Sequence, residues 1–206
     1  QTCALPIYAM EPEKGRNAAV LLAKFLKTEL ESGAGAEFVH FITDVFDGDH
    51  TGATLGFNYY DEMSGETTLN PGIVTFNEKG GAIEVSMRYS VTYPFDEKMT
   101  EVQAHMAETP FILDVAGDSK PHYVPEDDEL VQTLLSVYQK HTNDFSKVLS
   151  TGGGTYARVL KKGVAFGMLY PGELDVAHQA DEFVVVDNLL KAAAIYAEAI
   201  VKLASK

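Results

Sequence analysis

Three stretches of the chain carry residues whose types and spacing suit chemistry. The first is Ser150-Thr-Gly-Gly-Gly-Thr-Tyr-Ala-Arg158. Its three glycines, Gly152, Gly153 and Gly154, lie between a predicted strand and a predicted helix and leave backbone N–H groups open. A helix start there can hold an anion such as a carboxylate. Thr155 adds a hydroxyl donor, and Arg158 adds a charge. The spacing matches neither a phosphate-binding P-loop nor a dinucleotide fingerprint. The second stretch is the loop Gly172–Glu182, where His178 stands between two acidic clusters. An imidazole in that setting suits a metal ligand with carboxylates behind it. One histidine does not make a zinc site, and the chain has no His-Glu-x-x-His. The third is Arg88, on the polar face of a predicted strand, where a guanidinium can grip a carboxylate through two parallel hydrogen bonds. On residue types alone each stretch also fits an inert role: a tight turn, a solvated loop histidine, a solvated strand face.

Other candidates carry less. His122 sits between Pro121 and Pro125, where it lines a cleft or caps a turn. His40, His50, His105 and His141 fall in helices or polar loops without converging ligands. Asp44, Asp47 and Asp49 break the spacing of a calcium loop and read as acidic surface.

The elements that must position these residues follow from periodicity. Apolar residues at three- and four-residue spacing predict a helix over 17–30, stopped by Gly33 and Gly35, and a second short helix over Phe38–Val45. Gly72–Glu78 reads as a strand, Lys79-Gly80-Gly81 as a turn, and Ala82–Tyr93 as a half-buried antiparallel strand with Arg88 on its polar face. A helix over Asp96–Glu108 and a strand over Pro110–Ala116 complete an α+β arrangement. The polar segment Asp118–Asp128 reads as a crossing between domains. Beyond it come a helix over Glu129–Lys140, a short strand at Val148–Ser150, a helix beginning at Tyr156–Lys161, a strand at Val164–Leu169 and an amphipathic helix over Val185–Leu203.

Composition bounds the function classes. A chain of 206 residues, 46% apolar, buries a real core. A formal charge of −14 disfavours nucleic acid and anionic membranes as partners. No apolar run reaches the roughly 18 residues of a membrane span. The single cysteine, Cys3, allows no internal disulfide and fits a reducing, cytoplasmic setting. Gln1–Ile7 read QTCALPI, like the translated end of a sequencing adapter. Residues 1–8 are therefore set aside as a non-native leader, and the chain is expected to continue a longer reading frame.

Five stretches, in order, resemble the C-terminal half of PepV-type bacterial dipeptidases, within the wider family of zinc aminopeptidases, carboxypeptidases and aminoacylases. They are Pro12-Glu-Lys-Gly-Arg-Asn-Ala18; Val85-Ser-Met-Arg-Tyr89; Pro121-His-Tyr-Val-Pro125; Gly152-Gly-Gly-Thr-Tyr-Ala-Arg158 with Gly163-Val-Ala-Phe-Gly167; and His178-Gln-Ala-Asp-Glu182 with Ile195-Tyr-Ala-Glu-Ala-Ile200. The resemblance implies that 9–117 is part of an α+β lid domain and that 118–206 is the C-terminal segment of an α/β zinc-peptidase catalytic domain. It implies hydrolysis of dipeptides with a free C-terminal carboxylate, and two zinc ions in the intact parent. His178 matches the last metal ligand. Arg88, Gly153, Gly154 and Thr155 match the residues that hold the substrate carboxylate. The other metal ligands and the catalytic glutamate belong to an N-terminal segment without a counterpart here, so the fragment alone is expected to be inactive. Tyr-Ser follows Arg88 where Tyr-Pro is more usual, and Ala180-Asp-Glu replaces Ala-Asn-Glu. A non-catalytic domain binding a carboxylate or amino acid is the alternative reading of the same residues.

Overall fold

The computed structural model describes residues 11–177 and 180–205. It divides the chain into two compact units. One runs to Pro121 and takes in Ser150–Gly153; the other comprises His122–Leu149 and the chain from Gly154 onward.

The first unit opens with helix α1, Ala18–Lys27. Asn17 caps it: its Oδ1 accepts from the Ala19 and Val20 amides at 3.0 and 3.2 Å. The same side chain donates through Nδ2 to the Pro71 carbonyl at 2.7 Å and to Asn70 Oδ1 at 3.2 Å. One asparagine thus satisfies orphan donors of the helix and ties its start to a strand. Helix α2, Ala34–Phe46, follows Gly33, whose φ of +93° suits only glycine at low cost.

After two minimal strands, β1 (Tyr60–Asp61) and β2 (Gly65–Glu66), the unit builds its main ladder. Strand β3 (Thr68–Asn77) pairs antiparallel with β4 (Gly80–Arg88). Register shifts between Pro71 and Ile73, beside the one residue that has no N–H to give the ladder. The turn is Glu78-Lys79, and Asn77 Oδ1 accepts from the Lys79 amide at 2.8 Å. Gly80 and Gly81 therefore belong to the strand and not to the predicted turn. Gly81 is there for room: a Cβ on it would lie 2.5 Å from the Phe38 ring and 2.8 Å from that of Phe76. Phe38 and Phe76 pack at 5.0 Å between centroids across the space left free.

Helix α3, Phe95–Met106, adds Met99, Val102 and Met106 to a core made by Val20, Ala23, Phe38, Val39, Ile42, Phe46 and Leu69. The strand expected at Pro110–Ala116 is not formed. Phe111 and Leu113 do alternate inward, with Phe111 stacked on Phe41 at 4.0 Å, while Ile112 is 92% exposed. The periodicity of a strand is present, but the segment pairs with no strand among the described residues.

The second unit rests on two helices, α4 (Glu129–Thr142) and α5 (Val186–Ala204). Asp128 caps α4 by accepting from the Leu130 amide at 2.8 Å, and Asn143 closes it in the left-handed region at φ +56°. Val137, Ile195 and Ala199 form the buried contact, with Phe166, Tyr170 and Tyr196 packed around it. Outside that contact Glu198 gathers Lys140 at 2.8 Å, His141 at 2.8 Å and Lys202 at 3.5 Å. The strands expected at Val148–Ser150 and Val164–Leu169 form no ladder among the described residues, and the helix expected from Tyr156 to Lys161 is a single 3-10 turn, Tyr156–Val159. The two strand corrections have one cause. Single strands in this unit have no described neighbour to pair with, so extended backbone stays unpaired.

Replacing Asn17 with alanine removes a helix cap and two tertiary bonds. Urea unfolding of the chain is expected to show a loss of roughly 2 kcal/mol from the first unit. A loss below about 0.5 kcal/mol would show that Asn17 does not hold α1 to β3.

Candidate functional site

Arg88 is the last residue of β4, paired across the ladder with Thr68. Its Nη1 donates to the Gly152 carbonyl at 2.6 Å, so the structure brings the predicted arginine to the predicted glycine turn. Its Nε is buried and has no hydrogen-bond partner among the described residues. That leaves one edge of the guanidinium fork for an acceptor, and a carboxylate has the matching geometry.

The residues after Arg88 hold it in place. Tyr89 donates its hydroxyl to the Asp118 carboxylate, and its ring packs between Tyr93 at 5.2 Å and Phe95 at 5.3 Å. Burial and the neighbouring Asp118 push the Tyr89 phenol above its usual range, so it remains a donor. Burial, followed by the Glu101 charge, likewise raises the Tyr93 phenol to about 12. Asp61 fastens the next turn. Its carboxylate accepts from the amide and hydroxyl of Ser64 at 2.6 and 2.7 Å, and from those of Thr92 at 3.0 and 2.9 Å. Burial alone would raise the Asp61 pKa, but these four bonds outweigh it and hold the group at about 2. Ser90 Oγ completes the arrangement by donating to the Gly65 carbonyl at 2.6 Å. The local pattern Asp61-x-x-Ser64 is an Asx-turn signature; nothing local announces its reach to Thr92.

The glycine turn differs in detail from expectation. The Gly153 amide donates to Thr151 Oγ1 at 3.1 Å, so in this conformation it is engaged. None of Gly152, Gly153 and Gly154 is among the residues of positive φ, so no left-handed backbone calls for glycine at these positions. In the second unit, a Cβ on Gly154 would meet Arg158 Nη1 at 3.4 Å. Thr155 precedes the four-residue 3-10 turn and makes no side-chain cap bond. A single turn has little dipole to offer an anion, so any anion here is held by individual donors.

His178, the predicted metal ligand, lies outside the described residues. Among the described residues, no three His, Cys, Asp or Glu side chains converge as a metal site. His122 packs its Nε2 2.6 Å from the Gly163 carbonyl and holds that loop. His141 lies against Glu198. Asp44 and Asp47 pair with Lys27 and Lys24, both at 2.7 Å, while Asp49 caps the turn at 51–54. Asp44 and Asp47 are exposed, as an acidic surface requires, and each carries a lysine partner there, while half-buried Asp49 is built into its turn. No helix of the described residues is long and apolar enough to cross a membrane.

Comparison with known proteins decides the family. The model of Peptidase family M20/M25/M40 matches residues 14–202. The chain belongs to this peptidase family. A Bacillus subtilis protein named "Putative dipeptidase YtjP" is 46% identical over 202 residues, which is 97% of this chain and 43% of that protein. Proteins of Staphylococcus saprophyticus and Staphylococcus epidermidis, also named as dipeptidases of that provisional kind, are 34% and 33% identical over 96% and 94% of this chain and 42% of their own length. The M20 chain described here thus spans less than half the length of these relatives.

Because the Asp61 pKa is depressed, its contribution to stability is present above the unfolded value of 3.8 and is lost as pH falls through about 2. Urea midpoints of the wild type should therefore exceed those of Asp61→Asn at pH 7, and the two should converge between about pH 4 and pH 2. Parallel curves across that window would remove Asp61 from the support of the Arg88 turn.

Proposed function

We propose that the chain is part of a dipeptidase that hydrolyses dipeptides with a free C-terminal carboxylate, and that Arg88 is the residue that reads that carboxylate. The observation carrying this reading is the placement of Arg88 on the glycine turn, with Nη1 on the Gly152 carbonyl and a buried Nε left without a partner. Gly153, Gly154 and Thr155 are assigned to the same carboxylate. Membership of a peptidase family and relatives named as dipeptidases support hydrolysis over the alternative of a non-catalytic carboxylate-binding domain.

The chemistry supplied by these residues is recognition. A guanidinium with one edge on a backbone carbonyl is oriented before substrate arrives, so less rotamer freedom is lost on binding. A dipeptide presents its carboxylate one residue from the scissile bond. Fixing that charge fixes the reacting carbonyl, which is how a terminal contact selects short substrates. The lid-domain and catalytic-domain assignments of 9–117 and 118–206, the PepV-type specificity and the cytoplasmic setting belong to the same reading.

Two zinc ions are the implied cofactor of the intact parent. The described residues do not converge as a metal site, so they do not by themselves fit that group. His178 is assigned as one ligand, with the others and the general base supplied by polypeptide beyond these residues.

Two measurements test the proposal. In the full-length parent, Arg88→Ala should raise KM for dipeptides by about 10- to 100-fold, the equivalent of one charge-assisted hydrogen bond, and should erase the preference for a free carboxylate over a C-terminal amide. An unchanged preference would remove Arg88 from the site. The 206-residue chain alone, supplied with zinc, is expected to show no dipeptide turnover; turnover that His178→Ala abolishes would show the catalytic set to be complete within it.

A further inference from the structure

In the second unit Gly154 and Thr155 open a loop, 154–163, whose own side chains do little to hold it. It contains one 3-10 turn, Tyr156–Val159, in which the Arg158 and Leu160 amides donate to the Thr155 and Ala157 carbonyls at 3.3 and 3.1 Å. The turn's larger apolar side chains face outward: Tyr156 is 94% exposed and Val159 79%. A turn that buries so little apolar surface depends on the bonds at its ends. Thr155 precedes it in extended backbone and makes no side-chain cap bond.

The other end of the loop is tightly built. Gly163 is buried, and a Cβ on it would lie 2.8 Å from Leu160 Cδ1, 3.1 Å from Leu160 Cβ and 3.4 Å from the Ala157 carbonyl oxygen. Gly163 thus sits directly against the 3-10 turn, and whatever fixes it fixes the turn. His122 does so: its Nε2 lies 2.6 Å from the Gly163 carbonyl, 41 residues along the chain. A carbonyl oxygen only accepts, so Nε2 carries a hydrogen and donates it. One residue earlier, Lys162 pairs with Asp128 at 2.8 Å, and the same carboxylate caps α4 through the Leu130 amide. Residues 162 and 163 are therefore fastened to the segment 122–128 at two points. Lys162 is the more solvated of these holds, with its side chain 56% exposed, so the His122 bond carries more of the restraint.

We propose that His122 is a positioning residue for carboxylate recognition. It acts through the Gly163 carbonyl on the 3-10 turn, and so sets where the backbone of Gly154 and Thr155 stands before substrate arrives. The inference rests on the assignment of Gly154 and Thr155 to the substrate carboxylate. A loop held in its binding geometry loses less freedom when the ligand is bound. Releasing the hold weakens ground state and transition state alike, so the effect falls on KM and not on kcat.

The test is kinetic and is made in the full-length parent. His122→Ala should raise KM for dipeptides with a free carboxylate about three- to tenfold, keep kcat within about twofold and leave KM for C-terminal amides unchanged. His122→Gln should restore KM, because its Nε2 stands as many bonds from Cβ as that of histidine and donates to the same carbonyl. His122→Asn, one bond shorter, should not. The contrast between glutamine and asparagine holds even where the alanine variant folds poorly, and urea midpoints of all three are measured beside the kinetics. Thr155→Ala separates the two ways of failing. If it weakens use of free-carboxylate substrates while His122→Ala does not, the inference falls and the carboxylate reading stands. If it has no effect, Thr155 leaves that reading and the inference falls with it. Equal KM for the glutamine and asparagine variants, or a rise shared equally by acid and amide substrates, would also overturn the role of His122.

Discussion

The β3–β4 ladder is the constraint on which the first unit depends. A strand is stable only when its backbone groups are paired, and these two strands are the one long pair among the described residues. Everything near the site is referred to that ladder. Asn17 ties α1 to it, Phe38 enters the gap that Gly81 leaves, and Arg88 is its last residue. The bulge at Pro71 lets the pairing continue past a residue that cannot donate.

The same rule accounts for what the second unit lacks. Its segments with strand periodicity lie against helices on one side and have no described neighbour along the edge. Packing supplies half of what a strand needs, and hydrogen bonding must supply the rest. The buried contact of Val137, Ile195 and Ala199 is correspondingly small, and α5 leaves Val186, Leu190 and Ile200 exposed.

The role proposed for Arg88, reading a carboxylate, requires that the arginine be firmly held. Its support is mostly polar: Asp61 gathers four donors, Tyr89 reaches Asp118, and Ser90 reaches Gly65. Such a network resists rotation better than apolar packing does, because each bond has a direction. Its members lie in the β1–β2 hairpin, just after β4 and at Asp118, far apart in sequence, which is why none of these segments suggests the others.

Helices α1 to α5 and the β3–β4 hairpin were legible in the sequence, and Arg88, Gly153, Gly154 and Thr155 stood out in it as candidates. Helical and strand periods are local, and Arg88 and the glycine turn are chemically distinctive. The exact turn was not legible, because Glu78-Lys79 and Lys79-Gly80-Gly81 are equally good turn formers until the ladder's register chooses. Nor were the failed strands at Pro110–Ala116 and Val164–Leu169, since alternation reports which side chains face a core and not whether a neighbour exists to pair the backbone. The engagement of the Gly153 amide by Thr151 and of Arg88 by Gly152 was decided only in three dimensions. By itself the sequence determined the periods and the chemical types; the tertiary structure decided which donors are already in use, because a hydrogen bond belongs to two residues and only the fold says which two meet.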